Sequence, residues 1–265
     1  MDQAAIKRYW EERLKKDYSL GGVGCLPVSR YYNYWLYKMR QHQLRKTLKK
    51  LNISRNSQCL DVGSGTGFYI EQFLQNGYTH ITGSDFTSVA FEKLKEKFPS
   101  LEIWNMDIGS NMSEPAHNFQ LVTCMDVLFH IVDDAAYDNA IKNLSGFLEK
   151  DGCLILTENF TPYIRDRVHI YDREQRHVIA LLKQHGLEIK QTYSPFIFLN
   201  PPMQSNNKFL WWISDIRISV LKTFVALRMS KINWLIGMVL YYLDRSLLAI
   251  GIKGSGTSMI ICKKN

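Results

Sequence analysis

The most chemically suggestive stretch of the chain reads Leu60-Asp61-Val62-Gly63-Ser64-Gly65-Thr66-Gly67-Phe68, an acid at the end of an apolar run followed by three alternating glycines. Glycines at such a junction let the backbone turn tightly and approach a ligand, and the helix that follows offers unbonded N–H groups. The spacing is GxGxG, not the GxGxxG of dinucleotide binders. A carboxylate just before the loop would repel a pyrophosphate but suit a ligand carrying an ammonium or sulfonium group. Two more acids close later apolar runs: Asp85 in Gly83-Ser84-Asp85-Phe86 and Asp107 in Met106-Asp107-Ile108. A carboxylate at Asp85 can accept both hydroxyls of a ribose, Phe86 can flank a purine, and Asp107 can accept from the purine amine. Each acid alone also reads as a helix cap or a solvated loop residue. Together they point to S-adenosylmethionine, whose charged end is a sulfonium amino acid.

Methyl transfer from a sulfonium is an in-line displacement, so the protein must chiefly align the acceptor and exclude water. A base helps when the acceptor is a hydroxyl or protonated amine. His130, soon after the fourth apolar run, is the candidate base, with a packed loop histidine as the plain alternative. Glu158 and His169 are weaker candidates on the same rim, and Arg13 or Arg40 could reach the cofactor carboxylate. The five cysteines, Cys25, Cys59, Cys124, Cys153 and Cys262, form no CxxC or Cys/His cluster, so neither a disulfide framework nor a metal site is expected.

Positioning these residues requires a sheet. From about residue 52 to 200 short apolar runs alternate with amphipathic ones, the pattern of βαβ units. Strands are expected at 58–62, 80–84, 101–104, 119–125, 153–157 and 187–192, with a late seventh at 258–263. Helices are expected at 68–75, 88–98, 135–148 and 173–185 between them. The fold class is therefore α/β, a doubly wound seven-stranded sheet. Residues 1–51 read as an N-terminal helical cap around a Gly21-Gly22-Val23-Gly24 loop, 52–200 as the binding core, 201–256 as a helical insertion serving as a substrate lid, and 257–265 as the last strand.

The Asp61–Gly67 loop, Gly83-Ser84-Asp85-Phe86, Met106-Asp107-Ile108, the run from Phe119 to Ile131 and Leu148-Glu149-Lys150-Asp151-Gly152-Cys153-Leu154 resemble, in order and spacing, the motifs of class I S-adenosylmethionine-dependent methyltransferases of the small-molecule type. The likeness covers about residues 56–195 and implies a Rossmann-like methyltransferase fold with an antiparallel seventh strand. It also implies that Asp61, Gly63, Gly65 and Gly67 surround the methionine portion, and that Met125 offers its carbonyl to the ammonium. Asp85 and Phe86 would take the ribose and adenine, and Asp107 and Ile108 the adenine edge. The long insertion before the last strand departs from the family's tight hairpin. Asn200-Pro201-Pro202-Met203 looks like a motif of nucleic-acid amino-methyltransferases, but it stands after the sixth strand, not the fourth, and reads as a break.

The net charge of +8 is unevenly spread. Residues 1–50 hold 12 basic and 4 acidic side chains, 51–200 hold 12 and 19, and 201–265 hold 9 and 2. A uniformly basic nucleic-acid-coating domain is disfavoured, and no RNA-binding signature is present. The expected partner is a small, partly apolar acceptor such as a natural product, sugar or lipid. A membrane-surface lipid or quinone methyltransferase, using 209–248 as an interfacial patch, is the alternative, and an RNA substrate ranks below it. The first twenty residues lack an apolar leader and the longest uncharged apolar run, 232–243, is shorter than a span, so a cytoplasmic protein, peripheral to a membrane at most, is expected.

Overall fold

The structure is a computed structural model that describes residues 3–25, 28–112, 118–160 and 170–265. His169 lies outside the described residues. Two helices, α1 (Gln3–Lys16) and α3 (Arg30–Leu51), flank the short α2 (Leu20–Val23). The core then runs β1 (Cys59–Val62), α4 (Phe68–Gln75), β2 (Ile81–Asp85), α5 (Ser88–Lys97), β3 (Glu102–Asn105), β4 (Phe119–Cys124), α6 (Asp134–Gly146), β5 (Leu148–Glu158), α7 (Gln175–Gln184) and β6 (Leu187–Tyr193). Helices α8 (Lys208–Ala226) and α9 (Ile232–Ala249) precede β7 (Ser258–Lys264). The seven strands lie in the order β3-β2-β1-β4-β5-β7-β6. Only β7 runs antiparallel to its neighbours, β5 and β6.

Alternation along the strands splits the core into two layers. Leu60, Val62, Val122 and Cys124 face α6 and α7, whose Tyr137, Ile141, Leu144, Val178 and Leu182 complete that cluster. Cys59, Leu121 and Met125 point the other way, onto Leu44 and Leu48 of α3, Ile70 and Phe73 of α4 and Leu94 of α5. The acids therefore emerge together at the carboxyl ends of β1, β2 and β3, where open α/β sheets bind ligands.

Two elements differ from expectation. Helix α6 stops at Gly146 instead of running to 148, and β5 begins at Leu148, five residues early. Its pairing with β4 slips between Phe119 and Leu121, and Asp151 adopts φ 63°, so the residues between Leu148 and Cys153 bulge out of the ladder. The segment 201–256, expected as a lid, does not reach the carboxyl edge near β1. It packs on the outside of α3, where Tyr32, Trp35, Leu36 and Met39 meet Leu221 and Tyr241. The buried Asp244 explains how that packing is held, since its carboxylate accepts from the backbone N–H groups of Ile197, Phe198 and Leu199 at 2.8 to 3.0 Å. Asn200 sits by this turn, accepting from Thr257, away from the fourth strand. Among the described residues no helix is long and apolar enough to cross a membrane.

Candidate cofactor and acceptor site

The loop after β1 is built by backbone geometry. Gly63 and Gly67 adopt φ +72° and +80°, and a Cβ at each would come within 2.2 Å of Val127 and 2.4 Å of Phe98. Side chains are thus excluded at both positions by strain and by space. Gly67 begins α4 and packs behind the loop, so it shapes the site without facing it. Ser64 N–H donates to the Ser84 carbonyl at 2.7 Å, which pins the loop to β2.

Above the loop lies a cavity of about 130 Å³. Of the residues expected to bind cofactor, Gly63, Gly65, Asp85, Phe86, Asp107, Ile108 and Met125 line it, as does His130. Asp61 does not reach its wall. It is buried beneath the loop, where Oδ1 accepts from Thr123 Oγ1 at 2.7 Å and Oδ2 has no hydrogen-bond partner among the described residues. Burial pushes its carboxyl up to about 7, against the pull of the Thr123 and Ser64 hydroxyls. Asp85 is more fully engaged: Oδ2 accepts from Gly65 N–H at 2.9 Å, and Oδ1 from Thr87 N–H at 2.9 Å and Thr87 Oγ1 at 2.7 Å. Burial raises its carboxyl despite those donors. Asp107 accepts from Gly109 N–H at 2.9 Å.

The opposite wall comes from the N-terminal segment. Ile6, Trp10 and Leu14 of α1, Val23 of α2 and Tyr37 of α3 face the glycine loop and His130. The imidazole of His130 meets the Trp10 ring edge-on, with centroids 5.0 Å apart, and stands at the end of a single 3-10 turn, Leu128–His130. Three hydrogen-bonding links hold α1 and its loop in place. Glu11 accepts from Ser88 and Val89 N–H at the start of α5, Tyr18 donates to the Gly65 carbonyl at 2.9 Å, and Arg13 donates to the Gly24 carbonyl.

Three secondary candidates are placed elsewhere. Arg40 is spent on Asp126, with Nε 2.7 Å from Oδ2, and Arg13 on Gly24, so neither guanidinium faces the cavity. Glu158 is wholly buried, accepting from Tyr137 OH at 2.8 Å and Asn159 N–H at 2.9 Å, and burial pushes it up to about 7. It is a core carboxyl, not a contact of the cavity. Conversely Asp126 and Tyr69, which the sequence did not single out, line the site. Asp126 holds φ 60°, a conformation Asp tolerates better than most residues, and this turns the chain after β4 toward the loop. The Tyr69 hydroxyl is buried without a hydrogen-bond partner among the described residues.

A glycine cradle, an unpartnered buried carboxylate oxygen, a carboxylate at the next strand end and apolar rings facing both fit a nucleoside bearing a cationic amino acid. Residues 59–152 match the family model described as a methyltransferase domain. The chain is 27% identical over 90 residues to EEF1A lysine methyltransferase 2 of Danio rerio, covering 32% of this chain and 35% of that one. It is also 27% identical over 95 residues to a ubiquinone biosynthesis O-methyltransferase of Neisseria meningitidis, covering 34% and 40%. The matches therefore span well under half the length of these relatives. The N-methyltransferase NodS of Bradyrhizobium japonicum, solved with S-adenosyl-l-homocysteine, superposes with a TM-score of 0.56 over 98% of both chains at 14% identity, a likeness of fold. Residues 59–152 thus match a methyltransferase domain, and the seven-stranded topology that carries them is similar to that of the class I S-adenosylmethionine-dependent methyltransferases.

Proposed function

We propose that the protein transfers the methyl group of S-adenosylmethionine to a hydroxyl or amine of a small, partly apolar acceptor. The observation that carries this reading is the composition of the one cavity wall against the other. Strand-end groups at Gly63, Gly65, Asp85, Asp107 and Met125 suit the cofactor, and Trp10, Tyr37, Phe68 and Tyr69 with His130 suit an acceptor with apolar surface. Bound there, S-adenosylmethionine supplies a methyl group made electrophilic by its sulfonium.

The chain's own residues do the rest. Asp85 holds the ribose hydroxyls, Asp107 and Ile108 the adenine edge, and the Met125 carbonyl accepts from the ammonium, while Asp61 braces the loop from beneath. The rings from α1 and α3 exclude water, and a ring nitrogen of His130 takes the acceptor's proton. Calorimetry with S-adenosylhomocysteine, followed by transfer of a labelled methyl group to a panel of phenols, amines and acyl-chain acceptors, tests the proposal. Tight product binding and labelling of at least one acceptor class are expected. Absence of S-adenosylhomocysteine binding overturns the cofactor assignment, and binding without transfer across the panel favours a non-catalytic cofactor-binding protein.

A further inference from the structure

The largest exposed apolar side chains of the described residues are concentrated between β6 and β7. On α8, Phe209, Trp212, Ile216 and Val220 recur at spacings of three and four residues and stand exposed, whereas Trp211, Ser214 and Leu221 are buried. That is one continuous face of a helix turned to solvent. Helix α9 repeats the arrangement with Leu235, Val239, Tyr242 and Leu243 exposed and Asn233, Gly237, Tyr241 and Asp244 buried. Phe209, Trp212, Leu235, Val239 and Tyr242 are each 53–61% exposed. The exposed Asp215 borders the α8 stripe, lining a shallow groove with Trp212, Ile216 and Val220.

The charges around them are mostly cationic. Lys208 opens α8, Lys222 flanks its stripe, Arg228 and Lys231 occupy the connection to α9, and Lys253 follows α9, all exposed. Residues 201–265 contain two acids. One is Asp244, buried and consumed by three backbone N–H groups, which leaves the exposed Asp215 alone.

We propose that α8 and α9 seat the protein on an anionic lipid bilayer, with the two stripes at the boundary of headgroups and acyl chains and the bordering cations on the lipid anions. An amphipathic helix of this composition lies in the interface, and Trp and Tyr are the rings that favour it. Neither helix is apolar enough to cross. Self-pairing is disfavoured by the charges, because an isologous dimer through these stripes would set cation against cation. The inference does not depend on methyl transfer. It acquires a purpose on that reading, since α9 packs along α3, the helix that also supplies Tyr37 to the cavity.

The full chain is floated with phosphatidylcholine vesicles, with and without about a third phosphatidylserine. The expected result is flotation with the anionic vesicles that falls roughly tenfold or more between low and high salt. The variant W212Q/L235Q/V239Q changes side chains that already face water, so its thermal midpoint and its S-adenosylhomocysteine affinity stay at wild-type values while flotation drops by about tenfold or more. A second variant, K222E/R228E/K231E, loses the preference for phosphatidylserine. A wild-type protein that ignores both vesicle types overturns the proposal. So does one that sediments as a dimer which the glutamine variant dissociates, with no vesicle binding.

Discussion

Replacing Asp85 by Asn separates the carboxylate's role in the fold from its role with a ligand. In the structure one oxygen accepts from Gly65 N–H and the other from both donors of Thr87. An amide can keep its oxygen on Thr87, but its NH2 then faces Gly65 N–H, donor against donor. A buried donor left unmet costs about 1–3 kcal/mol, which for a chain of this size lowers the thermal midpoint by roughly 2–12 °C. The effect on the ligand is larger. Two ribose hydroxyls lose a charged acceptor at about 1.5–3 kcal/mol each, so S-adenosylhomocysteine affinity falls by roughly 10²–10⁴-fold at 1.4 kcal/mol per factor of ten. Calorimetry well below the variant's midpoint measures the second effect and differential scanning the first. An Asp85→Asn protein that is folded and binds S-adenosylhomocysteine within threefold of wild type would show that Asp85 only braces the loop, and the cofactor reading of this acid would be lost.

Three further outcomes follow from other parts of the site. Gly63→Ala places a methyl group 2.2 Å from Val127 Cγ2 at a φ of +72°, so we expect a destabilisation of about 1–3 kcal/mol, read by urea unfolding. The double variant G63A/V127A should recover the part due to overlap but not the strain, and full recovery would contradict the backbone argument. His130→Gln should lower methyl-transfer kcat by roughly 10²-fold or more while S-adenosylhomocysteine affinity changes little, and an unchanged kcat removes His130 as the base. The buried carboxyl of Asp61, pushed from its ordinary 3.8 up to about 7, holds its proton more tightly in the folded than in the unfolded chain. Its contribution to stability is therefore greatest below pH 4, declines as pH rises to about 7 and is flat above, a change on the order of 4 kcal/mol across that window. Urea midpoints of wild type and Asp61→Asn at pH 5 and 8 check this, and the Asn variant should have the flatter profile.

How much of this was legible beforehand depended on whether the signal was local. Runs such as Cys59–Val62 and Phe119–Cys124 carry their own hydrophobicity and end where an acid or a glycine stops them, so β1, β4 and the loop between β1 and α4 could be placed almost to the residue. The strand-end acids were readable for the same reason, because each acid closes its own strand or the residues just beyond it. Asp126 was not. Its left-handed backbone and its pairing with Arg40, 86 positions away, leave no periodic trace in either segment. The links from Tyr18 to Gly65 and from Glu11 to the start of α5 are likewise between distant residues, and they are what convert a charged amphipathic helix into the roof of a cavity.

The insertion shows the complementary failure. Its aromatic content suggested a pocket lining, since rings at helical spacing usually face something. Burial divides those rings: Trp211 and Tyr241 do pack inward, but Trp212 and Tyr242, one residue further on and about 100° around the helix, face solvent. Adjacent aromatics on a helix cannot share a face, so Trp211-Trp212 and Tyr241-Tyr242 already imply a surface with two apolar sides. One side is satisfied by α3, through Trp35 packed against Tyr241 with ring centroids 5.1 Å apart and planes tilted by 41°. The other side has a cationic border and no covering element among the described residues, and its energetic cost in water is what a bilayer would relieve. Much of the basic excess of the last 65 residues is thus placed around the apolar surface, where it selects an anionic partner, while Asp61 and Asp85 of the central block are buried at the loop and strand ends.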